Sequence, residues 1–391
     1  MLLINLEIFT YIVYSMKIII IHRRNFQERP PVISVYSHLI KLGHNPILIT
    51  AGINDNYREL LRNNKTQYHV VPFSIKSNQI RNIVNGFLWG RKVRRLIKEL
   101  AGDKQVLLWI EGNYTFDNLT ASFINKYPHI LQHQELFRNP MSNKGRYTMH
   151  TLKRVMPSAL VNIAPEYNRS CIYQALFSLK EKPVVLPNKP SFLLSEEEIN
   201  NLMPKYADFM RLIGDRKIIL YQGILSKERN LENFIRATSE LDNTKYVTVL
   251  LGKKTPLVDE YKALNVNLIH IDYIPAPDYL FFTSKAYIGI VTYLPDSLNS
   301  MYCAPNKLFE YGAYGVPMLG NNIAGLKYTI EFNGCGVVCD ENSVEDIRKS
   351  IERIICNYSD FSSRAKLYYQ STNNLEIVKQ IIEISENKMK K

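Results

Sequence analysis

Between Lys17 and Asn188 the chain alternates short apolar runs with amphipathic stretches of helical length. KIIIIH, NPILIT, YHVVPF, VLLWIEG, HILQHQE, ALVNIAP and PVVLPN read as strands, and segments such as 32–42 and 115–126 read as helices between them. The runs are almost continuously apolar rather than alternating, as parallel strands buried on both faces must be. Prolines and a charged, helix-prone stretch break the rhythm over 186–216, which reads as an interdomain linker. The rhythm resumes with KIILYQGI, YVTVLLG, VNLIHIDYI, AYIGIVTY, VPMLGN and CGVVCD, separated by helical segments that include 231–241 and 344–356. The expected organisation is an extension over 1–15, a first domain over 16–188, a linker over 189–216, a second domain over 217–375 and a C-terminal helix over 376–391 able to pack back on the first domain. Two doubly wound α/β domains of this kind bring the carboxyl ends of both sheets to one cleft, where open α/β sheets bind ligands.

Composition and charge narrow the class. A chain of 391 residues with 46% hydrophobic content can bury a large core, and 49 Lys+Arg against 36 Asp+Glu, a formal charge of +13, favours anionic partners. The five cysteines are odd in number and lack metal-knuckle spacing, which fits a reducing compartment, and Cys335 and Cys339 read as neighbours on one buried strand. Residues 1–15 are apolar but carry Glu7, lack a basic n-region and are followed by Lys17, so neither a signal peptide nor a membrane span is expected there.

The candidate chemistry concentrates in CAPNKLFEYGAYGVPMLGNN, Cys303 to Asn322. Pro305 suits a first helical position and Gly315 a helix stop, which predicts a helix from Pro305 with Ala304 at the cap. Alanine offers no side-chain acceptor, so first-turn N–H groups stay unpaired while Lys307 adds charge to the positive end of the dipole. A bound phosphate or diphosphate resolves both defects, and Glu310, on the same face, can accept hydrogen bonds from a ribose or sugar hydroxyl. On local pattern alone the plainer reading, an uncapped surface helix with an ordinary Lys–Glu pair, stays open.

APNKLFEYGAYGVPML resembles the nucleotide-sugar motif of glycosyltransferase family 4, whose members are retaining enzymes of the GT-B fold, two Rossmann-like domains around a central cleft. LPNKP, LYQGILSKERNLENFIRAT and VLLGKK match further family stretches in the expected order, so the resemblance covers essentially Met16 to the C-terminus. It implies a transferase that moves a sugar from a UDP- or GDP-type nucleotide sugar to a saccharide or polyprenyl-diphosphate-linked acceptor in surface-polysaccharide assembly, with no cofactor and no metal. The family pattern G-R-x-x-x-E-K-G appears here with Ile224 in place of the first basic residue and Arg229 in place of the lysine. Arginine can hold phosphate oxygens through paired N–H bonds, although a charged turn such as SKERN is ordinarily just solvated. Where many members carry a second glutamate, eight residues before Glu310, this chain has Tyr302. The donor-sugar contacts then pass to the backbone of Ser300, Met301, Tyr302 and Cys303 with the side chains of Asn299 and Asn306.

The resemblance also assigns Gly223 and Gly252 to the donor site and gives the base to the backbone of Tyr273 and Ile274. In HILQHQELF it implies that His133 donates to the sugar or phosphate and that Glu135 orients the acceptor hydroxyl, though a lone histidine beside a strand is commonly structural. Glu166 and Arg169, just past a strand, form a second tier whose plainer reading is a helix-start acid with an i,i+3 partner. Lys307, Arg229, Glu310, His133 and Glu135 are the expected catalytic set.

IRNIVNGFLWGRKVRRLIKEL, Ile80 to Leu100, combines apolar positions at helical spacing with six basic residues, so it suits an anionic membrane surface with Phe87 and Trp89 at the interface. Its plainer reading is a domain helix with a solvated basic face. The expectation is a cytoplasmic protein with peripheral contact at the inner face of the plasma membrane. A nucleic-acid-binding protein is disfavoured because no recognised motif or stacking pattern accompanies the charge. An epimerase-like nucleotide-sugar enzyme and an inactive nucleotide-sugar-binding subunit stay as alternatives.

Overall fold

The computed structural model describes residues 16–75, 79–103, 105–136 and 142–390; the 1–15 extension lies outside the described residues. All thirteen apolar runs form strands. Seven of them, β1 (Lys17–Ile21), β2 (Ile47–Thr50), β3 (Tyr68–Val70), β4 (Val106–Glu111), β5 (His129–Gln132), β6 (Val161–Ala164) and β7 (Val184–Val185), make one parallel sheet in the order β3-β2-β1-β4-β5-β6-β7. The other six, β8 (Lys217–Gln222), β9 (Tyr246–Leu251), β10 (Ile269–Ile271), β11 (Ala286–Val291), β12 (Met318–Asn321) and β13 (Gly336–Cys339), make a second parallel sheet in the order β10-β9-β8-β11-β12-β13. Each sheet reverses its winding beside its first strand, the Rossmann-like arrangement that opens a crevice at the strand ends.

The continuous apolar runs follow from burial on both faces. In β1, Ile19 and Ile21 pack with Trp89, Val93 and Ile97 of the Gln79–Ala101 helix. Ile18 and Ile20 face Val32, Val35 and Tyr36 of the Pro30–Lys41 helix on the opposite side. In β8, Ile218 and Leu220 pack into one layer while Ile219 and Tyr221 pack into the other. Val378, Ile381 and Ile382 of the C-terminal helix Asn374–Met389 enter the first domain's core, and Lys388 donates to Leu160 O and ion-pairs with Glu181.

Two helix expectations change. The 115–126 segment is two helices, Asn113–Leu119 and Ala121–Ile124, because Thr120 adopts φ 66° and cannot continue a right-handed turn. The helix expected from Pro305 runs Lys307–Ala313 instead, with Asn306 at its cap. The chain ahead of it is held open because Ala304 O accepts a 2.8 Å hydrogen bond from the linker residue Asn188. No helix among the described residues is long and apolar enough to cross a membrane.

Candidate functional site

The second-domain site begins where β8 ends. Gly223 takes φ 134°, a conformation side chains rarely adopt, and a Cβ there would lie 3.3 Å from Lys307 Nζ. A Cβ on Gly252, just past β9, would lie 2.0 Å from Gly223 O, so Gly252 is required by close backbone approach and Gly223 by its φ. Lys307 opens its helix half-buried, with Nζ 4.2 Å from the Tyr221 ring centroid and no hydrogen bond or ion pair to any described residue. Burial, reinforced by Arg229 and only partly offset by Glu310 and Cys303, lowers its pKa to about 7. Arg229 stacks 3.6 Å over the Tyr293 ring and has no carboxylate partner among the described residues. Two cations therefore rest on aromatic faces at the strand ends with no counterion among the described residues.

Glu310, one turn along, points into the protein. Its carboxylate accepts from Gln222 Nε2 at 2.6 Å and from the Tyr279 hydroxyl, and burial raises its pKa. Gln222 is oriented in turn by Thr283 Oγ1, which donates to Gln222 Oε1 at 2.6 Å. The Glu310 edge reaches a largely apolar cavity of about 260 Å³ between the domains, shared with Tyr57, Phe192, Pro277 and Tyr279. Tyr273 and Ile274 follow β10, the first mostly exposed and the second packed against the second domain's core.

The 299–306 stretch is tied across the cleft by Arg169. Only 4% exposed, this side chain donates to Asn299 O at 2.8 Å, to Tyr302 O at 2.6 Å and, in the first domain, to Gln134 O. Asn299 Oδ1 also accepts from Leu136 N at 2.9 Å, so its side chain is engaged between the domains. Ser300 Oγ donates to Asp296, Cys303 is buried with its thiol pushed up to about 12, and Met301 is exposed beside half-buried Tyr302 and Asn306. Glu166 follows the plainer expectation, capping the Tyr167–Phe177 helix by accepting from Asn168 N and Arg169 N.

The first domain presents a second cavity, of about 390 Å³, at the ends of β1, β4 and β5. The exposed Glu135 lies on it. His133 does not: it has no exposed surface, packs 4.5 Å from the Tyr173 ring centroid and against Phe116, and burial lowers its pKa to about 4. The expected donor to a sugar is thus a neutral core histidine, placed there because the residue after β5 turns inward beneath the strand ends. Trp89 is likewise interior rather than interfacial, its Nε1 donating to Val71 O at 3.0 Å.

Comparison with known proteins adds a set of similarities to this geometry. Residues 205–374 match the family described as Glycosyl transferases group 1. That stretch, which holds the second sheet, is similar to a group 1 glycosyl transferase domain. An uncharacterised glycosyltransferase of Haemophilus influenzae is 21% identical over 375 residues, covering 89% of this chain and 93% of that protein. Among solved structures, a glycosyltransferase from Rickettsia africae superposes with a TM-score of 0.68 at 15% identity, covering 96% of this chain and 99% of that one. Anabaena Alr3699/HepE in complex with UDP-glucose superposes with a TM-score of 0.69 at 14% identity, covering 95% and 100%. The fold is accordingly GT-B, with both sheets opening on the interdomain cleft.

Several residues of the site escaped sequence reasoning. Tyr221, Gln222 and Tyr293 sit at or just past the carboxyl ends of β8 and β11, the position from which open sheets supply ligand contacts, and that rule could have found them. Arg23 and Arg24, just past β1, fall under the same rule, whereas Tyr279 carried no comparable signal.

Proposed function

We propose that this protein is a family 4 glycosyltransferase that moves a sugar from a nucleoside-diphosphate sugar to a saccharide or lipid-linked saccharide acceptor with retention of configuration, in surface-polysaccharide assembly. The observation that carries the reading is the pair Lys307 and Arg229, two cations without counterions among the described residues beside Gly223, whose missing side chain leaves room for a ligand. Cleaving a glycosyl–phosphate bond builds negative charge on the departing nucleotide, and preorganised cations in a partly dry site stabilise that charge strongly. Glu310, held by Gln222 and Tyr279, has one edge on the interdomain cavity, where it can accept from a ribose hydroxyl. The expected backbone contacts to the sugar narrow to Cys303, because the N–H groups of Ser300 and Met301 already donate to Ser297 O and that of Tyr302 to Leu298 O, and Glu135 is the first-domain group able to orient the acceptor hydroxyl.

A thermal-shift screen of UDP, GDP and ADP tests the donor site. Stabilisation of the parent by one of them, absent in Lys307→Ala, supports the reading, and no response to any nucleotide overturns it.

The Gln79–Ala101 helix is the proposed contact with an anionic membrane. Its first half leaves Ile80, Ile83, Val84, Phe87 and Leu88 between 48% and 71% exposed, an apolar face at helical spacing, with exposed Arg91, Lys92 and Arg95 following. This combination suits an interfacial helix, and each basic residue near such a surface contributes about 1 kcal/mol. Reversing Arg91, Lys92 and Arg95 to Glu is expected to reduce co-sedimentation with phosphatidylglycerol-rich vesicles on the order of 100-fold. Unchanged co-sedimentation removes the proposal.

A further inference from the structure

The first-domain cavity is built more elaborately than a neutral sugar requires. The loop after β1 sends three arginines to it, Arg23, Arg24 and Arg29. Arg29 ion-pairs with Glu111, the last residue of β4, whose side chain is buried, so this pair forms a fixed wall. Arg23 is wedged between the rings of Phe73, 4.2 Å from its guanidinium, and Tyr114, 5.0 Å away, and donates to Asn118 Oδ1 at 2.6 Å. Its Nε and that of Arg29 are buried without a partner.

Arg24 is different. Its side chain makes no hydrogen bond, ion pair or ring contact with any described residue, yet it is half-buried on the cavity wall. Of the nearby carboxylates, Glu111 is taken by Arg29 and Asp117 accepts from Thr148 Oγ1 at 2.6 Å. Glu135 is the exposed carboxylate on the wall. The start of the Asn143–Val155 helix, with Gly145 and Thr148, closes the other side and turns its positive end toward the same space.

A neutral saccharide would gain little from a free guanidinium here, because a half-desolvated arginine without an anion is unfavourable. We propose that this cavity is the acceptor subsite for a saccharide bearing an oxyanion, a phosphate or carboxylate held by Arg24 and steadied by Arg23, with the accepting hydroxyl directed to Glu135. The assignment rests on the glycosyltransferase reading and names its acceptor class.

The source of the oxyanion is indicated by Asn118. Its side chain holds Arg23, while its backbone carbonyl accepts a 2.7 Å bond from Arg94 of the Gln79–Ala101 helix. Gly86 and Gly90 of that helix let it approach Asn118 so closely that Cβ atoms there would lie 2.6 Å and 2.0 Å from its atoms. The cavity is therefore mechanically continuous with the helix whose apolar face is exposed, which points to a lipid-borne phosphate over a soluble one.

The test uses the full-length protein and calorimetric titration with glucose, glucose 1-phosphate and glucuronate, together with vesicles containing or lacking a polyprenyl phosphate. A preference of at least tenfold for a charged sugar over glucose, lost in Arg24→Gln, kept in part by Arg24→Lys and retained in Lys307→Ala, supports a soluble acceptor. The same dependence on Arg24 seen only with polyprenyl phosphate vesicles supports a lipid-borne one. Equal binding of charged and neutral probes in both formats, an undiminished preference in Arg24→Gln, or its loss in Lys307→Ala overturns the proposal. Nucleotide titration of the same variants separates the two sites. Nucleotide binding absent from the parent while the charged-sugar preference persists would remove the donor reading and with it the acceptor role, leaving an oxyanion-binding cavity.

Discussion

The protein carries two basic clusters at the ends of its two sheets, and they are stabilised in opposite ways. In the first domain Arg29 is satisfied by a buried carboxylate, Glu111, and Arg23 by two rings and an amide. In the second domain Lys307 and Arg229 rest on tyrosine rings and have no carboxylate partner among the described residues, while Glu310, the acid that acts on Lys307, is held by the neutral donors Gln222 and Tyr279. A paired cation contributes to the fold, whereas an unpaired one costs folding free energy and persists where a ligand supplies its counter-charge. The difference separates scaffold, such as Arg29, from candidate site, such as Lys307 and Arg229, and by the same criterion Arg24 belongs with the latter.

The sharpest way to break the comparison is Lys307→Met. Nucleotide affinity is expected to fall on the order of 100-fold, as for loss of one preorganised donor, while the melting temperature rises because a desolvated charge has gone. A melting temperature that falls would show that Lys307 is structurally paired after all. Glu111→Gln should behave in the opposite sense: chemical denaturation is expected to show a loss of about 2 kcal/mol, short of the penalty for a fully dry pair because the Arg29 side chain is 25% exposed, with nucleotide affinity unchanged.

Arg169→Met removes the bonds to Asn299 O, Tyr302 O and Gln134 O and should cost about 1–2 kcal/mol. Steady-state kinetics with the nucleotide sugar are expected to show KM rising roughly tenfold with a smaller change in kcat, since the residue orders the donor loop without touching the reacting atoms. A change confined to kcat would contradict that role.

The smallest effect is a pH dependence. Unfolded, Lys307 keeps its proton to about pH 10.5; folded, it keeps it only to about 7. Between these values the unfolded state binds more protons, so this group makes stability rise with pH across the window, and below it the full burial penalty is felt. The melting-temperature advantage of Lys307→Met should therefore be largest at or below pH 7 and narrow toward pH 10. A constant difference across that range would show that the lysine titrates normally.

Much of the architecture was legible because parallel strands buried on both faces must be apolar at every position, which makes runs such as KIIIIH and KIILYQ hard to misread. Helix ends were less so. Pro305 looks like a helix start, but the linker residue Asn188 captures Ala304 O and delays the helix to Lys307, a contact 116 residues away in sequence. The site divides in the same way. Gly223, Arg229, Lys307 and Glu310 were reachable because they sit within local motifs, whereas Gln222 meets Glu310 across 88 positions and Arg169 meets Tyr302 across 133.

His133 shows the limit most clearly. Its neighbours in sequence place it at a strand end, and only the packing of Phe116 and Tyr173 decides that its ring lies under the cavity instead of in it. Hydrophobic period and motif spacing, which are properties of adjacent residues, by themselves determined two parallel α/β sheets and the strand-end segments of the second that carry Arg229 and Lys307. Which charges are paired, which carboxylate is spent inside the protein and which arginine is left free depended on contacts between distant segments, and those exist only once the chain is folded.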